Sequence, residues 1–254
     1  MKKITVSSLP SPKFLIFLAS FLALLLYIFI KCFQIAQAEN RKLPIYSVET
    51  DQKVVSLTFD SAWGTEDLDQ ILKILSDNQV CATFFVTGDW VNRNPEAVKK
   101  IYNAKHEIGN HGDCHKHMSQ LSQNGCSEEI QGCHQKVRKL LGFDMHLFRA
   151  PYGEYNNTVV EAGEKNNYYV IQWDVDSLDW KNPGTAQIIN TTANHKNLKN
   201  GSILLMHNGT KYTKDALEPV IKAIKQKGYQ FIPLSKLLKK PPYTVDSSGR
   251  QQSK

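Results

Sequence analysis

From Lys53 to Ile232 the chain alternates short strand-like runs with amphipathic helical ones, and this rhythm constrains the fold more than any other feature. Val54–Phe59 (VVSLTF), Val80–Val86 (VCATFFV), His106–Gly109, Met145–Phe148, Tyr168–Trp173 (YYVIQW), Ser202–Met206 and Tyr229–Ile232 read as strands. Helical spacing falls between them, at Glu66–Leu75, Pro95–Tyr102, Ser127–Leu141, Asn157–Lys165, Ala186–Lys196 and Lys214–Lys227. Strands separated by helices pair in parallel through right-handed crossovers. The expected class is therefore α/β, an irregular (β/α) barrel of about seven parallel strands. No glycine-rich phosphate loop follows the first strand, which weakens a nucleotide-binding reading.

The ends of the chain differ from this middle. Phe14–Ile30 (FLIFLASFLALLLYIFI) is seventeen residues without a charge, and at ~1.5 Å per residue it reaches ~25 Å as a helix. Lys2, Lys3 and Lys13 precede it, and no acid occurs in the first 38 residues. An N-terminal transmembrane helix is expected, with the amino end in the cytoplasm and the domain exported. Ala36-Gln37-Ala38 keeps the alternative open, a cleaved signal peptide and a secreted protein. The expected division is 1–38 stub and anchor or signal, 39–52 linker, 53–238 domain and 239–254 flexible tail.

Charge then excludes a partner. The formal net charge is +7, but Lys2, Lys3, Lys13 and Lys31 belong to the N-terminal segment; without them 27 basic residues face 24 acidic ones. So mild an excess argues against a nucleic-acid surface. Five cysteines are too few for a disulfide framework, and Cys126 and Cys133, seven apart on a helix, lie too far apart to bridge. All five are read as structural.

In a parallel barrel, chemistry gathers where strands end at their carboxyl side. Asp60 ends the first strand, His111 and His115 follow the third, and Arg149 follows the next; Asp179 comes after YYVIQW, and His207 ends the Ser202 strand. An aspartate after a strand is commonly just a turn residue, and two histidines four apart equally describe a polar surface loop. Taken together the positions say more. TFDSAWG from Thr58, NHGDCH from Asn110, RAPYG from Arg149, WDVDSLDW from Trp173 and LLMH from Leu204 stand in one order and spacing. Over about Lys53–Leu238 the sequence resembles the polysaccharide deacetylase family (NodB homology domain, carbohydrate esterase family four), most closely its sporulation-associated branch.

The resemblance implies metal-dependent hydrolysis of the N-acetyl group of an amino sugar in cell-wall or spore-wall glycan, releasing acetate. It implies Asp60 as base, Arg149 as its partner, His207 as acid, Asp179 behind His207, and His111 and His115 as ligands of a divalent metal, zinc by preference. Tyr152 would contribute its backbone N–H to the oxyanion, while Trp180 and Leu205 would line the acetyl pocket. The sequence departs from the family at Ser61, where a second aspartate is the third metal ligand. A serine hydroxyl is a weak neutral donor. Asp60 doubling as ligand, Asp113 swinging in, or added waters around a loosely held metal would each compensate; otherwise the domain is a catalytically impaired, membrane-tethered glycan-binding or structural protein.

Overall fold

The computed structural model describes residues 12–39 and 41–254, which fall into two compact units, Met1–Arg41 and Lys42–Lys254. The first contains α1 (Pro12–Glu39). Its described side chains from Leu15 to Ile30 are exposed on every face of the helix. Among the described residues no helix is long and apolar enough to cross a membrane. The expected spanning segment is thus met as a helix, short of spanning length over the side chains described; Lys2 and Lys3 lie outside the described residues.

The second unit holds β1 (Ser47–Val48), β2 (Val54–Ser61), α2 (Leu68–Asp77), β3 (Thr83–Val86), α3 (Gly88–Arg93), α4 (Pro95–Asn103), β4 (Glu107–Asn110) and α5 (Gln123–Leu141). There follow β5 (Leu147–Phe148), α6 (Asn157–Lys165), β6 (Tyr169–Val170), β7 (Val175–Asp176), α7 (Thr185–Ala193), β8 (Ser202–His207), α8 (Thr213–Gln226), β9 (Gln230–Phe231), α9 (Leu234–Leu237), β10 (Tyr243–Val245) and β11 (Arg250–Ser253). The strands β8-β2-β3-β4-β5-β6 form a curved parallel run, with β7 beside β8 and β9 beside the start of β2. The architecture is an α/β half-barrel.

Alternation along β2 shows how the sequence builds two cores. Val55, Leu57 and Phe59 face outward into the layer beneath the helices, which includes Leu68, Ile71 and Leu75 of α2. Ser56, Thr58 and Asp60 face inward, and all eight residues of the strand are buried. The inward hydroxyls are satisfied: Ser56 donates to the Ile232 carbonyl and Thr58 to that of Leu204. A smaller apolar cluster of Phe85, Leu147, Ile171 and Ile203 fills the barrel interior.

Two terminal expectations are corrected. The stretch read as a linker closes the open side of the barrel: Ile45 donates its N–H to Val170 and accepts from Gln172, while Ser47 pairs antiparallel with Ser202. The stretch read as a flexible tail is an ordered hairpin, in which β10 pairs β11 and β11 runs parallel to β1. Its hold is polar. The fully buried Gln251 side chain accepts from the Lys239 N–H at 2.9 Å and donates to the Lys239 carbonyl at 3.1 Å.

Candidate active site

The strand ends converge as parallel pairing requires. Asp60 on β2 and His207 on β8 are register partners, directly opposite one another. Arg149, just past β5, is fully buried and reaches across the barrel to donate from Nη1 to Asp60 Oδ1 at 2.7 Å and from Nη2 to Thr58 Oγ1 at 2.9 Å. Its guanidinium lies 4.1 Å from the centroid of Phe85 and 5.4 Å from that of Trp173, contacts that compensate a desolvated cation. Burial opposes ionisation of Asp60, but the charge of Arg149, with those that His111 and His207 carry when protonated, outweighs it and holds the carboxyl below its ordinary range.

His207 is half-buried on the other side of this pair. Its Nδ1 bonds Asp179 Oδ1 at 2.7 Å, and its backbone N–H donates to Asp179 Oδ2 at 2.7 Å. The Thr213 hydroxyl donates to the same oxygen at 2.6 Å. Burial lowers the His207 pKa, but the hydrogen bond and charge of Asp179, with Asp60 and Asp176 beyond, bring the net shift upward. The indole of Trp63 stacks on the imidazole, centroids 5.2 Å apart.

His111 follows β4, and its Nδ1 lies 2.8 Å from the Arg149 carbonyl. A carbonyl only accepts, so Nδ1 carries the proton and Nε2 keeps its lone pair, 3.5 Å from Asp60 Oδ2. The His111 and His115 rings meet edge-on, centroids 5.2 Å apart. Burial lowers both imidazoles, His115 to about 4, favouring the neutral form that a metal ligand requires. The loop reaches this shape through left-handed Gly112 and His115, at φ 77° and 53°. Glu129 of α5 fastens it, with Oε2 accepting from the N–H groups of Asp113 and Cys114.

The donors do not fit a three-ligand metal centre. Among the described residues no group of three His, Cys, Asp or Glu side chains is placed to hold a metal. Ser61 is fully buried and its hydroxyl has no hydrogen-bond partner. The compensation expected from Asp113 is corrected: its carboxylate is bound to Lys136 at 2.6 Å. Asp174 also serves structure, accepting from the Ile203 N–H and the Ser202 hydroxyl.

A cavity of about 380 Å³ opens over these groups. Asp60, His111, His115 and His207 line it, together with Tyr152, Trp180 and Leu205, while Arg149 and Asp179 stand behind it as partners of the lining groups. Tyr152 sits on a backbone at φ 60°, in the turn Pro151–Gly153. Sequence reasoning missed Trp63, Trp173, Thr213 and Glu129. Trp63 and Trp173 stood inside the quoted motifs TFDSAWG and WDVDSLDW, a signal that was there to be used; Thr213 and Glu129 lie on helices remote in sequence from the residues they hold.

Comparison with known proteins assigns the class. The family model "Polysaccharide deacetylase" matches residues 47–171. The peptidoglycan-N-acetylglucosamine deacetylase of Bacillus cereus is 33% identical over 76% of this chain and 92% of that protein. The chain belongs to the polysaccharide deacetylase family. It is also 34% identical to the uncharacterized protein YlxY of Bacillus subtilis, over 77% of this chain and 60% of YlxY's length. Among solved structures, BA3943 of Bacillus anthracis, described as a family-four carbohydrate esterase pseudoenzyme, superposes with a TM-score of 0.74 at 33% identity, over 77% of this chain and 69% of that one.

Proposed function

We propose that the protein hydrolyses the N-acetyl group of an amino sugar in cell-wall or spore-wall peptidoglycan, releasing acetate and leaving a free amine. The observation that carries this reading is the opposition of two differently tuned groups across one cavity. Asp60, held ionised by Arg149, is equipped to take a proton from water; His207, held protonated by Asp179, is equipped to give one to the departing nitrogen. That second transfer is required, because an amide anion is far too basic to leave. The N–H of Tyr152 would face the developing oxyanion, and Leu205 and Trp180 would enclose the acetyl methyl. His111 and His115 are the side chains that would take a divalent metal, zinc by preference, and with Ser61 in place of a carboxylate the hold is weak. Acetate release from an N-acetylglucosamine oligomer tests the assignment: Asp60→Asn and His207→Ala should each lower it by ~10²-fold or more, and release unaffected by both substitutions would refute it.

A second reading has a specific observation behind it. The unpartnered Ser61 hydroxyl and the missing third ligand describe a site that seats the glycan without turnover, as the word pseudoenzyme describes BA3943. Metal content of the purified protein beside acetate release separates the two. For either role we place the domain outside the cytoplasm, anchored to a membrane through α1, whose large apolar side chains from Leu15 to Ile30 are exposed around the helix.

A further inference from the structure

Beside the cavity lies a second groove of about 650 Å³. Trp63 and Trp180 belong to both linings, so a chain seated in the cavity continues into the groove past two exposed indole faces. Flat aromatic faces suit the apolar face of a pyranose. The rest of the groove is charged. Lys211 and Lys214 line it, and among the described residues neither forms an ion pair; Lys211 only rests its ammonium over the Tyr212 ring, 5.1 Å from the centroid. Glu66 folds back over Gly64, where its carboxylate fills the space that a β-carbon would need.

Asp67 supplies the independent sign of a ligand. It is 4% exposed and lines the groove. Its Oδ1 accepts the Gly209 N–H at 2.8 Å, its side chain makes no capping bond to α2, and its Oδ2 has no partner. A buried carboxylate oxygen left unpaired is costly unless a donor reaches it.

We infer that this groove seats a sugar with a carboxylate-bearing substituent, next to the sugar whose acetamide enters the cavity. Lys211 and Lys214 take the carboxylate, Asp67 Oδ2 takes a neighbouring hydroxyl or amide N–H, and the two indoles carry the rings. The carboxylate has two sources in peptidoglycan, the lactyl group of muramic acid itself or the stem peptide that extends it. The inference rests on the glycan-deacetylase reading and adds to it a selectivity for acidic over neutral glycan.

Equilibrium binding of the full-length protein to three oligomers of equal length tests this without requiring turnover: neutral N-acetylglucosamine, peptide-free glycan with free lactyl carboxylates, and glycan bearing stem peptides. At low salt at least one acidic oligomer should bind about three- to tenfold tighter than the neutral one, as exposed charge-assisted contacts allow. If the lactyl carboxylate is the source, only the peptide-free oligomer gains, because the stem peptide is joined to that carboxyl as an amide; if the peptide's own carboxylates are, only the peptide-bearing one does. In Lys211→Ala/Lys214→Ala the ratio of acidic to neutral affinity should fall to near one, while Asp67→Asn, nearly isosteric, should weaken all three oligomers without lowering that ratio. Equal affinity for all three oligomers, or a ratio that survives removal of both lysines, overturns the inference while leaving the deacetylase reading intact. Failure of all three to bind overturns both.

Discussion

Asp60 and His207 face each other across adjacent parallel strands, and each is backed by a buried residue of opposite charge, Arg149 at 2.7 Å and Asp179 at 2.7 Å. The sheet register sets the two side chains opposite one another; the two partners bias their protonation in opposite senses.

The pH dependence of hydrolysis follows from those senses. With His207 raised, its proton is held to higher pH than that of an ordinary imidazole and lost as pH rises past its elevated pKa, which sets the alkaline limb. With Asp60 lowered, the acid limb comes only below the ordinary carboxylate range. Asp179→Asn removes both the charge and the strongest acceptor while burial remains, so the alkaline limb should move to lower pH and kcat should fall by ~10²-fold. An unmoved alkaline limb in the kcat/KM profile would show that Asp179 does not tune His207.

Arg149 is a fully buried cation with a buried partner. Arg149→Met should destabilise the fold by ~3–5 kcal/mol, because it strands the Asp60 carboxylate, and adding Asp60→Asn should restore much of the loss. Urea unfolding of the two variants checks this. Equal destabilisation in the single and double variants would assign the loss to packing against Phe85 and Trp173.

The C-terminal hairpin closes the sheet beside β1 through Gln251. Gln251→Ala leaves the Lys239 N–H and carbonyl without their partner and should cost ~1–3 kcal/mol. Thermal unfolding reads this, and an unchanged midpoint would mean that the hairpin adds nothing to the fold.

The parallel strands and the polar residues gathered at their ends were legible because both rest on strong local signals. VVSLTFD and SILLMH are short, mostly apolar runs that end in a titratable residue, and their register follows from parallel pairing. The edges were not legible for the opposite reason. YTV is too short for its alternation to stand out, RQQS carries no apolar residue, and β1 is two residues long; β1 and β11 pair across about 200 positions, a relation that local pattern does not reveal. Asp113 looked available in NHGDCH because sequence spacing does not reveal Lys136, one α-helix away.

Membrane attachment through α1 is tested by fractionation. Insertion of a spanning helix is effectively irreversible, whereas a surface association is not. The full-length protein should stay with membranes after high-salt washing and keep its full mass. A soluble form beginning at Glu39 would establish cleavage after Ala38 instead.

The central claim, a deacetylase site weakened at one metal ligand, is tested most directly by acetate release from N-acetylated glycan under a titration of divalent metal, with the parent protein beside Ser61→Asp. The account predicts slow release from the parent that requires excess metal, and faster release from Ser61→Asp at limiting metal, because the family resemblance puts an anionic third ligand at that position. No acetate from either protein, across zinc and other divalent metals and across neutral and acidic glycans, would contradict it.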